Sequence, residues 1–149
     1  MHGIALHFIE EARVCPTHSN DEKPTISFSS DRDFSIWRYR YGHSQLILRS
    51  LPSADLRRLD IFFEGVRWLS LPTRLGSIRI TSATDEASVL PVKMRHSADT
   101  WGFFQLAISA SEASGLIICG TVKAAFSHDD GNGNPDYEEV DVVWNIRKR

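Results

Sequence analysis

Short apolar stretches recur along this chain at intervals of roughly 8–12 residues, each bounded by Gly, Pro, Asn, Asp or Ser. Most of them alternate apolar with polar residues, the period of a strand with one buried face. Parallel folds need crossover helices between their strands. No convincing amphipathic helix of three turns is visible here. The spacing therefore predicts an all-β chain, an antiparallel β-sandwich or jelly-roll of about eight strands with little helix. A partly closed barrel is the alternative.

The individual stretches carry this reading. Phe34-Ser35-Ile36-Trp37-Arg38-Tyr39-Arg40-Tyr41 alternates, with Trp37, Tyr39 and Tyr41 on one face and Phe34, Ile36, Arg38 and Arg40 on the other. Gly42-His43 supplies a turn, and Gln45 to Ser50 returns as the second arm of a hairpin. Leu59 to Phe63 is the next strand, Gly65 marks a turn or a bulge, and Val66 to Leu71 follows. In the stretch Ser77 to Thr81, Ile78 and Ile80 point inward. Val89 to Met94 reads as an edge strand interrupted by Pro91. Trp101 to Ile108 and Leu116 to Phe126 are strong strands, the latter with a bulge or bend at Gly120. Tyr137 to Ile146 closes the domain with Val140, Val142 and Trp144 on one face. The opening stretch, Gly3 to Ile9, fits a strand or a short helix, and residues 15–25, with Pro16 and Pro24, form a polar loop.

The length of 149 residues suits a single domain, residues 1–149, large enough to fold without a metal or a disulfide. No cationic leader and no apolar run near the ~18 residues of a membrane span is visible. The expectation is a cytoplasmic protein away from the membrane, whose two cysteines, Cys15 and Cys119, stay reduced. Cys119 lies in an apolar stretch and reads as core.

Charge is distributed unevenly. The net charge of −2 argues against a general nucleic-acid binder. Between Arg32 and Arg79 every cation is Arg, whereas the loop 128–139 is acidic, with Asp129, Asp130, Asp136, Glu138 and Glu139. The final residues, 147–149, form a basic tail. The plain reading is that opposite charges face one another on neighbouring strands. The functional reading is two surfaces for a partner protein: Arg38, Arg40, Arg49 and Arg67 on one, Asp129, Asp130, Glu138 and Glu139 on the other. Arg and aromatic residues together are the residue types that dominate protein interfaces.

Chemistry-bearing motifs are sparse. There is no Gly-x-Ser-x-Gly elbow, and His18-Ser19 and His43-Ser44 are strand or loop neighbours that point apart. No catalytic residue is assigned. The His and Cys spacing does not match a zinc site. Asp130, Asn132, Asn134 and Asp136 alternate as calcium ligands do in a looped chain. Pro135 stands where an EF-hand has Gly, and Asp141 stands where it has a bidentate Glu. A turn-rich hairpin loop accounts for the same residues.

The segments Ser44 to Ser50, Leu59 to Val66 and Leu69 to Thr73 resemble those of small bacterial all-β proteins, some of which are encoded beside toxins and act as immunity proteins. The resemblance consists of strand and turn residues. It implies a fold and a class of role, and carries over no binding residue. Together these features point to a non-enzymatic protein-interaction module, of the kind that binds and neutralises a partner protein. The alternative is a β-sandwich that binds a small molecule or carbohydrate, with calcium as a cofactor at residues 130–136. An enzyme assembled from distant residues is the third class.

Overall fold

The computed structural model describes residues 26–52, 54, 57–83, 92–111, 113–127 and 141–147. The chain is all-β in class, as the spacing predicts: the described residues form nine antiparallel strands joined in one sheet, with one short helix. In chain order these are β1 (Ser27–Arg40), β2 (Gln45–Ser50), β3 (Arg58–Glu64), β4 (Trp68–Ser70) and β5 (Arg74–Ser82), then α1 (Val92–Trp101), then β6 (Phe104–Ala110), β7 (Ser114–Cys119), β8 (Thr121–Ser127) and β9 (Asp141–Arg147).

The order across the sheet is β4-β7-β6-β5-β1-β2-β3-β8-β9. Two pairs of strands that lie apart in that order follow directly on one another in the chain. Strand β3 runs through Gly65 into β4, and β7 runs through Gly120 into β8. The two bent ribbons, 58–70 and 114–127, stay paired across the bend, because Gly120 N–H donates to the Glu64 carbonyl and Arg67 N–H donates to the Ile118 carbonyl, each at 2.8 Å. Following partners from β8 through β3, β2, β1, β5 and β6 thus leads back to β7 and its own continuation. The sheet curls round on itself.

One main core fills the inside of the curl. Alternate residues contribute to it: Leu46 and Leu48 from β2, Leu59, Ile61 and Phe63 from β3, Ile78 and Ile80 from β5, Leu106 and Ile108 from β6, and Val122, Ala124 and Phe126 from β8. Burying each of these larger aliphatic or aromatic side chains is worth about 1.5–3 kcal/mol. Phe28 of β1 stacks on Trp144 of β9 with centroids 4.9 Å apart, tying the last strand to the first. Cys119 is fully buried in the same core, as its apolar surroundings in sequence suggest.

Two bulges overturn face assignments made from strict alternation. In the β1–β2 pair, Ile36 opposes Leu48 and Arg38 opposes Ile47, so Trp37 is an extra residue. An inserted residue reverses the inward and outward parity beyond it. Phe34 and Ile36 therefore pack on the core, whereas Arg38 and Arg40 do not share their face. In the β8–β9 pair a second shift puts Val142 opposite Ala125 and Trp144 opposite Ala124. Trp144 is buried and Val142 is exposed, so they do not share a face; Val140 lies outside the described residues.

The expected edge strand 89–94 is also corrected, since residues from Val92 onward form α1. Met94 and Ala98, four residues apart, lie on one side of the helix and pack on Leu116 and Ile118, on the outward face of β7. The helix ends in a Schellman turn: Gly102 takes φ +75°, and Phe103 N–H donates to the Ala98 carbonyl at 2.9 Å. The strand expected from Trp101 consequently begins at Phe104.

Candidate functional site

The outward face of β1, β2, β3 and β8 carries a polar chain. Arg49 of β2 and Asp60 of β3 are register partners. Arg49 Nε donates to Asp60 Oδ1 and its Nη2 donates to Oδ2, both at 2.9 Å. Ser127 Oγ of β8 donates to the same Oδ2 at 3.3 Å. Ile47, Phe62 and Ala125 form a small buried cluster on the same three strands, and the ion pair is 4 % and 0 % exposed at its two side chains. Removing two charges from water is tolerable only where they neutralise each other with good geometry, and this two-bond fork supplies it.

Arg49 holds a further group. Its guanidinium carbon lies 4.4 Å from the centroid of the Trp37 ring. The carboxylate occupies the edge of the guanidinium and the indole covers its face, an arrangement open to Arg and denied to Lys. The bulge that makes Trp37 an extra residue is what accompanies its turn toward Arg49. Trp37 remains 43 % exposed. A large ring is thus held on a locked cation with much of its surface facing outward.

Beyond Trp37 the hairpin carries Arg38, Tyr39 and Arg40 into a short 3-10 turn, Tyr41–His43. Tyr41 is 88 % exposed. Ser44 closes the turn in the left-handed region at φ 47°, and its carbonyl accepts from Val66 N–H at 2.8 Å. That bond ties the hairpin tip to the ribbon bend. At the bend Gly65 lies beside Gly120 and takes the left-handed conformation, φ +64°, that a side chain would strain. The Phe103 ring lies against both glycines, and the Arg67 guanidinium carbon sits 5.1 Å from its centroid. Trp101, just before the Schellman glycine, is 75 % exposed. One corner therefore gathers Tyr41, Arg40, Arg67 and Trp101 from three separate stretches of sequence.

The sequence-derived candidates separate on this map. Arg38, Arg40 and Arg67 lie on the hairpin and the adjoining bend, where Arg40 and Arg67 are exposed. Arg49 is no part of an exposed surface, because its charge is spent on Asp60; opposition of charges on neighbouring strands describes it instead. Asp129, Asp130, Glu138 and Glu139, and the calcium candidates Asp130, Asn132, Asn134 and Asp136, lie outside the described residues. Among the described residues no group of three or more His, Cys, Asp or Glu is placed to hold a metal ion. Also among them, no helix is long and apolar enough to cross a membrane. His43 and His96 are both exposed. Burial pushes the Cys119 thiol up to about 12.

No family model, curated protein or solved structure matches this chain.

Sequence reasoning missed the Trp37–Arg49 contact and the role of Asp60. Alternating apolar and charged residues in Leu48-Arg49 and Leu59-Asp60 reads as an ordinary solvent face. The available signal was one of size: Arg49 and Asp60 each sit within runs of large apolar residues, and a lone charge there needs a partner.

Proposed function

We propose that this chain is a non-enzymatic protein-interaction module, of the immunity type that binds a partner protein and neutralises it in the bacterial cytoplasm. The supporting observation is the half-exposed Trp37 ring seated on the Arg49–Asp60 pair. Protein interfaces draw most of their binding energy from a few Trp, Tyr and Arg side chains. A ring fixed before contact loses little conformational freedom on binding, where a mobile side chain would lose about 0.5–1.5 kcal/mol. Beyond the bulge Arg38 and Arg40 share the outward face with Trp37, and Tyr41 at the hairpin tip is 88 % exposed.

The test is capture of a partner from native lysate by the immobilised chain, compared with the double variant Trp37→Ala, Tyr41→Ala. A single stoichiometric protein retained by the native chain after nuclease treatment, and lost by a variant that still melts cooperatively, is the expected result. Retention of the same partner by the variant removes the hairpin from the interface. A retained species that disappears with nuclease removes the protein-partner reading.

A further inference from the structure

Resting on the interaction reading, we infer that the hairpin and the adjoining bend receive an acidic polypeptide segment of the partner. The strands and turns of this corner carry Arg38, Arg40, His43 and Arg67, and the described carboxylate among them is Glu64. Glu64 already accepts from Thr121 Oγ1 at 3.1 Å. Thr121 is in turn the register partner of Arg147, so the start of the basic tail joins the same corner. No described carboxylate pairs with Arg38, Arg40 or Arg67, in contrast to Arg49, which is paired with Asp60. Guanidinium groups favour carboxylates through paired, parallel hydrogen bonds.

Tyr41, exposed at the tip of the same hairpin, supplies apolar contact beside the charges, so the matching segment has carboxylates spaced along it rather than a uniformly charged surface. A nucleic acid presents a continuous row of phosphates and calls for an overall basic excess, whereas the net charge here is −2. Complementary charge of this kind chiefly raises the encounter rate and rejects basic partners.

The experiment is a titration of the isotopically labelled full chain, followed by amide and guanidinium resonances, with oligoglutamate, oligolysine and oligothymidylate as separate probes. Oligoglutamate is expected to give saturable shifts at Arg38, Arg40, Tyr41 and Arg67, weakened several-fold by added salt and abolished in the variant Arg38→Glu, Arg40→Glu, Arg67→Glu. A second variant, Arg38→Gln with Arg40→Gln, covers the event that triple reversal unfolds the chain, and is expected to lose most of the shift. Absence of saturable shifts with oligoglutamate, equal shifts with oligolysine, or tighter binding of oligothymidylate at the same residues each overturns the inference. Salt-sensitive self-association abolished by the same reversal would make the occupant a second copy of this chain and overturn it as well. Capture of a partner that needs Trp37 and Tyr41 but ignores salt and charge reversal overturns the acidic segment while leaving the interaction module standing.

Discussion

Arg49 and Asp60 face each other across β2 and β3 and share two parallel hydrogen bonds of 2.9 Å, both side chains out of reach of water. Removing either partner strands a buried charge, which costs about 3–5 kcal/mol. Arg49→Met and Asp60→Leu are each expected to lose that much in urea unfolding. The double variant is expected to recover most of the loss, since paired replacement by apolar groups is often close to neutral. A double-mutant cycle reads the difference. Additive losses would mean that the two side chains do not depend on each other.

Trp37→Ala removes the ring from the face of Arg49 and leaves the ion pair in place. Cation–π contacts of this exposure are worth about 0.5–2 kcal/mol. The variant is expected to lose about that in stability and to lose partner capture almost entirely. Capture that falls only in proportion to stability would place Trp37 in the fold rather than in the interface.

Gly115 lies in β7 against the next ribbon, where an added Cβ would overlap the Ser70 carbonyl oxygen and the Leu71 side chain. The obstacle is partly backbone and cannot swing aside. Gly115→Ala is expected to cost about 1–3 kcal/mol or more, as forced insertion of a methyl into packed structure does. Gly42, at the hairpin tip, has nothing within 4 Å of the corresponding position. Gly42→Ala is the matched control, expected within about 0.5 kcal/mol of the native chain.

Burial pushes the Cys119 thiol from its ordinary value of 9.0 up to about 12. The thiolate is the reactive form, so the Cys119 peptide is expected to resist alkylation in the native chain at pH 8 and to react once denaturant is added. The same shift gives stability a sign. Above pH 9 the unfolded chain releases this proton while the folded chain keeps it, so stability falls as pH rises toward 12. The slope from this thiol is at most about 1.4 kcal/mol per pH unit, and Cys119→Ala is expected to flatten it. An unchanged alkaline slope would show that Cys119 is not its source.

The strands were legible in sequence because an alternating pattern and a glycine or proline break are local properties. Ile78 and Ile80, or Leu46 and Leu48, announce their face without help from the rest of the chain. The bulges at Trp37 and between Val142 and Trp144 were not legible. Neither is marked by a glycine, and each exists only in relation to the partner strand. Helix α1 was hidden by Pro91, which interrupts a strand and equally well precedes a helix. The Met94–Ala98 spacing was the signal for it, but Ala and Met say little about period by themselves. Of the candidate site, the arginines and aromatics were visible as types. Their sorting into one buried anchor and several outward contacts depended on register.

The pairing of ribbon 58–70 with ribbon 114–127 also sets a schedule for folding. During vectorial synthesis the first three strands can meet as local hairpins soon after they leave the ribosome. Strand β3 then offers Leu59, Ile61 and Phe63 along a bare edge until β8 has emerged, more than fifty residues later. Contacts that span so much chain close slowly and leave hydrophobic rows uncovered in the meantime. A nascent chain stalled before residue 121 is therefore a natural client for a holdase, and overproduction should be limited by the fate of that half-built intermediate more than by the stability of the finished fold.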